Sequence, residues 1–453
     1  MHEPFAPIPA DPAEALSPYV SSAGAPWDIR HGAHLLRRAG FGGSAEEAAA
    51  AVAAGPEAAA RALVRAPEDA GLAELDEGLE TLLAFEQPMR LRAWWVLRMV
   101  RTKAPVREKV GLFLHGHFAT GYRKVRSVRA MHRQVRLFLD QGLGSFRSIA
   151  RAMASDAAML VFLDGARSER SRPNENFARE LMELFTLGRG NYSEADIREA
   201  ARAFTGWRVD NGAARFRATS FDAKEKTIFG KRDAFNAEAA VDLCVDHPAC
   251  APFLARKLLQ FYCMPQPPDP LVDAFAQKLA ASNFEFAPVL ETLFASRAFY
   301  SREAHRSMVK SPVDFAIGAL RALGGRVAGA SLSDWLTAMG QSLFDPPSVK
   351  GWDGGPAWIH AATWIARVNF ARDATLAGGS MDRELDTVAL FALGDSIEAA
   401  ARVDRALDVL LLRDVAAPTR ELLIAQAKTL GAGEAGLSSL LHRIIALPEY
   451  HIS

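Results

Sequence analysis

The chain has 453 residues, with Lys plus Arg and Asp plus Glu equal at 53 each and 49% hydrophobic residues, as expected of a soluble globular protein with a large core. This balance gives no general attraction to nucleic acid or to an anionic membrane. No apolar run approaches the roughly eighteen residues of a membrane-spanning helix. Residues 1–26, rich in Pro, Ala and Ser, are expected as an irregular leader. They lack the basic and apolar regions of a secretory signal, so the chain as it stands reads as cytoplasmic, with export the alternative if its start site is misassigned.

Helical spacing begins at Trp27, and Ala45 to Arg65 is broken at Gly55-Pro56 into two short helices. Glu77 to Thr102 is a longer pattern interrupted near Pro88, and Pro105 suits the first turn of the next helix. The basic run from Arg123 to Arg136 lacks interleaved aromatics beyond Tyr122 and reads as a solvated helix face, not a nucleic-acid site. Asn174 is expected to cap a helix, and Ser193 to cap Glu194 to Phe204, with a stop at Gly206. Arg215 to Thr219 alternates like a short strand, with Lys224 to Gly230 as its hairpin partner. From Ala237 helical spacing runs to the end, with breaks at Pro265–Pro270, Gly324–Gly325 and Gly351–Pro356. The expected fold is mainly α: a large multi-helix domain over residues 27–453, divisible into two lobes near 236, with one small β-ribbon near 213–230.

Cys244, Cys250 and Cys263 are an odd number in a long chain, which fits a reducing compartment better than a disulfide framework. With His247 they could supply four zinc ligands, but the spacing matches no common zinc site, and small buried thiols are favoured.

The densest polar cluster lies between Pro173 and Trp207. On one helix, Glu175, Arg179 and Glu183 follow at i, i+4, i+8, with Asn176 and Glu180 beside them, while Phe177, Leu181, Leu184 and Phe185 form the opposite, apolar side. Ion pairs on a solvated face explain this pattern cheaply; a site would use Glu180, Arg179 and Glu183 for catalysis and Asn174 and Asn176 for binding. His115 and His117 are the next candidates. On a helix continuous from Pro105 they point apart, and each is then a core histidine; if the helix ends near Gly116, both imidazoles share one side and suit a metal. With Glu175 they would hold a divalent ion such as Zn²⁺, Mn²⁺ or Fe²⁺, and a free carboxylate would activate its water. No His-Glu-x-x-His motif supports this. The glycine-rich segment from Gly351 to Pro356 lacks phosphate-loop spacing, and its turn would place Trp352 and Trp358 against a polar pocket.

The run Asn174-Glu175-Asn176-Phe177-Ala178-Arg179-Glu180-Leu181-Met182-Glu183-Leu184, then Gly190-Asn191-Tyr192-Ser193-Glu194-Ala195-Asp196 and Ala201-Arg202-Ala203-Phe204-Thr205-Gly206-Trp207, resembles the signature of the domain-of-unknown-function 1800 family of bacterial proteins. The resemblance continues through His34–Gly42, Arg107-Glu108-Lys109, His115-Gly116-His117-Phe118, Phe253–Leu258, Lys310-Ser311-Pro312-Val313 and Pro346–Gly355 with Trp358-Ile359. Phe221 and Lys224 depart from a family stretch of the form His-Asp-x-Gly-x-Lys-Thr, so any role at those positions does not carry over. The family implies no established chemistry. Its members are often encoded beside a sulfatase-like protein, which the resemblance implies as a partner. A metal-assisted hydrolase is the leading expectation, and a non-catalytic helical partner or scaffold the alternative.

Overall fold

The computed structural model describes residues 5–81, 83–325, 327–376, 381, 398–412, 414–431 and 433–453. They form 23 α-helices and two small antiparallel two-stranded sheets, and local signals account for many of the helix boundaries. Ser44 and Glu47 close a capping box on the helix Ala45–Ala54, and Gly55, at φ 81°, turns the chain into Pro56–Val64 with Pro56 at its first position. Ser193 and Asp196 form a second capping box on Glu194–Ala203. Pro105 opens the helix Pro105–His117, where its missing N–H is one the first turn leaves unbonded anyway.

Two hydrophobic cores pack against this last helix. One gathers the leader, the helices between residues 138 and 203, and the segment from Ala237 to Ala304. The other joins the helix Pro88–Arg101 to residues 313–344 and to the C-terminal helices ending at Tyr450. Val106, Val110 and Phe113 point into the first core and Leu112 into the second, so Pro105–His117 is a shared wall. Its buried Glu108 accepts from Trp95 Nε1 (3.0 Å) and Arg98 Nε (2.9 Å), which gives a charge inside the wall its required partners.

Two expectations change. The leader is mostly irregular, but it carries a short helix, Pro12–Ala15, and docks firmly: Phe5, Leu16 and Tyr19 are buried in the first core. The β-ribbon is two hairpins. Trp207–Asp210 pairs with Ala213–Phe216, and Lys226–Ile228 with Lys231–Asp233. Each turns through two residues of positive φ, Asn211-Gly212 and Phe229-Gly230, so each strand finds its partner directly across a tight turn. Among the described residues no helix is long and apolar enough to cross a membrane.

Candidate functional site

The Asn174–Leu187 stretch is a short α-helix, Asn176–Glu180, that widens into a π-helix, Leu181–Thr186. Glu175 occupies the N-cap position. Asn174 sits one residue earlier and fixes the entry: its Oδ1 accepts the Asn176 N–H at 2.8 Å, and its own N–H reaches Ser168 Oγ at 3.0 Å. The last carbonyls of a helix have no following turn to bond, and here side chains from elsewhere bond them. Lys257 Nζ donates to the Leu184 carbonyl at 3.1 Å, and His117 Nε2 lies 3.0 Å from the Phe185 carbonyl.

A carbonyl can only accept, so His117 must carry its proton on Nε2, and Nδ1 is left as a lone-pair nitrogen. That atom is buried with no hydrogen-bond partner among the described residues. Burial and the Lys257 ammonium push the His117 pKa well below its ordinary 6.5. Burial alone pushes Lys257 down to about 8.

His115 faces the other way. The helix is continuous to His117, so side chains two residues apart diverge. His115 Nε2 accepts the Phe344 N–H at 3.0 Å, and its ring contacts Trp95, Phe344 and, at 5.6 Å, Trp352. The expected metal set of His115, His117 and Glu175 is therefore not assembled. Among the described residues no group of three or more His, Cys, Asp or Glu side chains is placed to hold an ion. Cys244, Cys250 and Cys263 are buried free thiols with pKa values raised by burial.

Of the expected catalytic residues, Arg179 is taken up by Glu194 (2.8 and 2.9 Å) and Glu175 (3.2 Å), a surface network that ties its helix to the next. Glu183 accepts from Arg189 (2.7 Å) and the Tyr192 hydroxyl (3.1 Å), which lowers its pKa. Glu180 has no hydrogen bond or ion pair among the described residues. Burial and the neighbouring Glu183 raise its pKa, opposed by Arg179 and Lys350. Asn176 is exposed. In the stretch with the departures at Phe221 and Lys224, buried Lys226 donates to the carbonyls of Asp222 (2.7 Å) and Lys224 (2.9 Å), a loop lock with no free group.

The concave feature beside His117 is a cleft of about 590 Å³. Five main stretches meet there: the end of the helix Ile29–Ala39, the helix Pro105–His117, the helix Cys250–Tyr262, residues 307–314 and the glycine-tryptophan loop. The loop is seated by a close backbone approach. Gly351 has φ 79°, and a Cβ there would lie 2.4 Å from the Gly116 carbonyl oxygen. Trp352 and Trp358 both line the cleft. So do the cations Arg37, Arg38, Lys109, Lys257 and Lys350, against the carboxylates Asp314 and Asp353. Lys109 is bonded to Asp314. Arg38 donates to the Tyr262 carbonyl and Ser453 Oγ, both at 3.1 Å, and has no carboxylate partner among the described residues; burial lowers its pKa to about 10. The cleft therefore holds more positive charge than it neutralises.

Of the residues singled out from sequence, His117, Trp352 and Trp358 line this cleft. Glu180 and Glu183 do not line it, although Lys350 lowers the pKa of both, and His115 contacts the loop through Trp352. Asn174, Asn176, Glu175 and Arg179 make local contacts. Arg38, Lys109, Lys257 and Lys350 were not singled out, although each falls within a stretch that carries the family resemblance. The signal available was convergence: stretches far apart in the chain each contribute a cation to one cleft.

The chain belongs to the family described as protein of unknown function (DUF1800), whose model matches residues 34–452. No curated protein and no solved structure shows significant similarity to it.

Proposed function

We propose that this member of the DUF1800 family binds an anionic organic ligand of sugar-phosphate or sugar-sulfate size in the cleft beside His117. The observation that carries the reading is the excess of cationic over carboxylate side chains in one concave site with two indoles in its wall. Lys257, Lys350 and Arg38 supply charge for a phosphate or sulfate group. Trp352 and Trp358 offer flat apolar faces with one donor each, suited to a sugar ring.

Among the described residues lining the cleft, His117 Nδ1 is a free base that could take a proton from water attacking a bound ester. A histidine held well below its ordinary pKa is a weak base, so binding is better supported than turnover. The metal-assisted route has no ligand set behind it among the described residues. The same weak base favours the second reading, a non-catalytic partner that holds a ligand; a sulfatase-like protein as its companion follows from the family resemblance alone.

Titration calorimetry with glucose 6-phosphate, glucose 6-sulfate, inorganic phosphate and glucose tests the proposal. Saturable binding of the esters, weaker binding of phosphate and none of glucose is expected. Equal binding of glucose and its esters, or no binding of any anion, overturns it.

A further inference from the structure

Behind the cleft, and sharing Arg37, Asp314 and Ser453 with its wall, is a small chamber of about 20 Å³, room for one water-sized particle. Lys310 lines it and is only 6% exposed. Its ammonium has no hydrogen bond or ion pair among the described residues and sits 3.9 Å from the centre of the Tyr450 ring. Tyr450 lines the chamber as well, and one buried guanidinium nitrogen of Arg37 has no hydrogen-bond partner among the described residues.

The surroundings are short of negative charge. Asp414 is shared by Arg37 (3.6 Å), Arg306 (2.9 Å) and His305 (3.0 Å). Asp314 is engaged by Lys109 and by Ser311 Oγ at 2.8 Å. Arg367, fully buried, gives one bond to the Lys310 carbonyl at 2.8 Å and leaves two nitrogens without partners among the described residues. Buried cations in such excess are costly unless an anion joins them.

We propose that this chamber is a binding site for a single halide ion, held by Lys310, Arg37 and the Tyr450 hydroxyl. Its size admits a monatomic anion, and it lies behind the cleft, apart from the ligand proposed there. The halide supplies the charge that Asp314 and Asp414, already engaged, do not.

The test uses the full chain in two measurements. Crystals soaked in bromide are expected to show anomalous density within hydrogen-bonding distance of Lys310 Nζ. The melting temperature is expected to rise saturably as sodium gluconate is replaced by sodium chloride at constant ionic strength. Tyr450→Phe removes one donor and no charge, and it should raise the half-saturating chloride concentration about tenfold. Lys310→Met should abolish the dependence; if that variant fails to fold, the bromide density and Tyr450→Phe decide. No bromide at Lys310 and equal melting in chloride and gluconate would mean a neutral lysine beside water, and would overturn the proposal. So would a chloride effect that Tyr450→Phe leaves unchanged, or bromide density without saturable stabilisation, which marks an adventitious ion only.

Discussion

Lys257→Met separates the requirements of folding from those of binding. The ammonium is held where burial takes its pKa from 10.5 to about 8. At about 1.4 kcal/mol per pKa unit, keeping it charged at neutral pH costs on the order of 3 kcal/mol. Against that stands its bond to the Leu184 carbonyl, 3.1 Å long, since a hydrogen bond from a charged donor contributes about 1.5–3 kcal/mol. Methionine keeps the length and apolar stem, removes the desolvation cost and leaves the carbonyl to water. The two terms nearly cancel, so urea unfolding at pH 7 should show a stability within about 2 kcal/mol of wild type. Affinity for glucose 6-phosphate should nonetheless fall at least about tenfold, or about 1.4 kcal/mol, because the lost charge faces the cleft. A variant that binds the ester as tightly as wild type would refute the assignment of Lys257 as an anion contact. One that unfolds by more than about 4 kcal/mol would show that the Leu184 bond outweighs desolvation.

Gly351→Ala forces a side chain into a left-handed backbone and against the Gly116 carbonyl; we expect a loss of at least about 2 kcal/mol in urea unfolding and a change in tryptophan fluorescence as the loop lifts. A neutral result with unchanged fluorescence would mean the two backbones do not touch. Glu108→Gln leaves fully buried Arg98 with Asp76 at 2.6 Å but without its buried partner, and should cost about 3 kcal/mol in the same assay. Glu180→Gln removes a carboxylate that has no ion pair among the described residues and is disfavoured by Glu183. Its melting temperature should match or slightly exceed wild type, and a loss of about 3–5 kcal/mol would show that Glu180 belongs to a buried ion-pair network.

Where a structural signal is local, the sequence displays it. Ser193 with Asp196, Pro105 at a helix start and Gly55-Pro56 between two helices each act within a few residues, and each stands where its chemistry demands. The hairpins differ from the expected ribbon for a related reason. Asn211-Gly212 is a local turn signal, but alternation over Arg215 to Thr219 points to a partner further on. His117, Trp352 and Trp358 were legible because imidazoles and indoles beside glycines are uncommon in a solvated surface. Lys257 was not, since one lysine on an amphipathic helix reads as its wet face. Only the packing of the helix Cys250–Tyr262 against the π-helix turns that lysine inward, and the widened turn at Leu181–Thr186 leaves no mark in the spacing of apolar residues.

His117 and Lys257, both in the cleft wall, together predict a pH profile that neither would give alone. Burial and the Lys257 ammonium hold the His117 pKa well below 6.5, so it is neutral at pH 6.5 and above and should leave affinity for glucose 6-sulfate, whose own charge is fixed, flat there. Lys257 loses its charge as pH rises through about 8, so affinity should fall above that point, most steeply between about 8 and 9.5. Stability moves differently. Below about pH 6.5 the unfolded chain protonates His117, and likewise His34, His115 and His451, all held neutral by burial. The unfolded state then binds more protons than the folded one, and stability falls as pH drops. Between about 8 and 10.5 the unfolded chain keeps a proton on Lys257 that the folded chain has released, so that group makes stability rise with pH over the window in which binding is lost. Calorimetry with glucose 6-sulfate from pH 5.5 to 9.5, beside urea unfolding at the same values, measures both. An affinity inflection near 6.5 that disappears in His117→Gln would show that the imidazole charges within the folded protein, and would return His117 to the role of a proton-carrying contact in place of a neutral one.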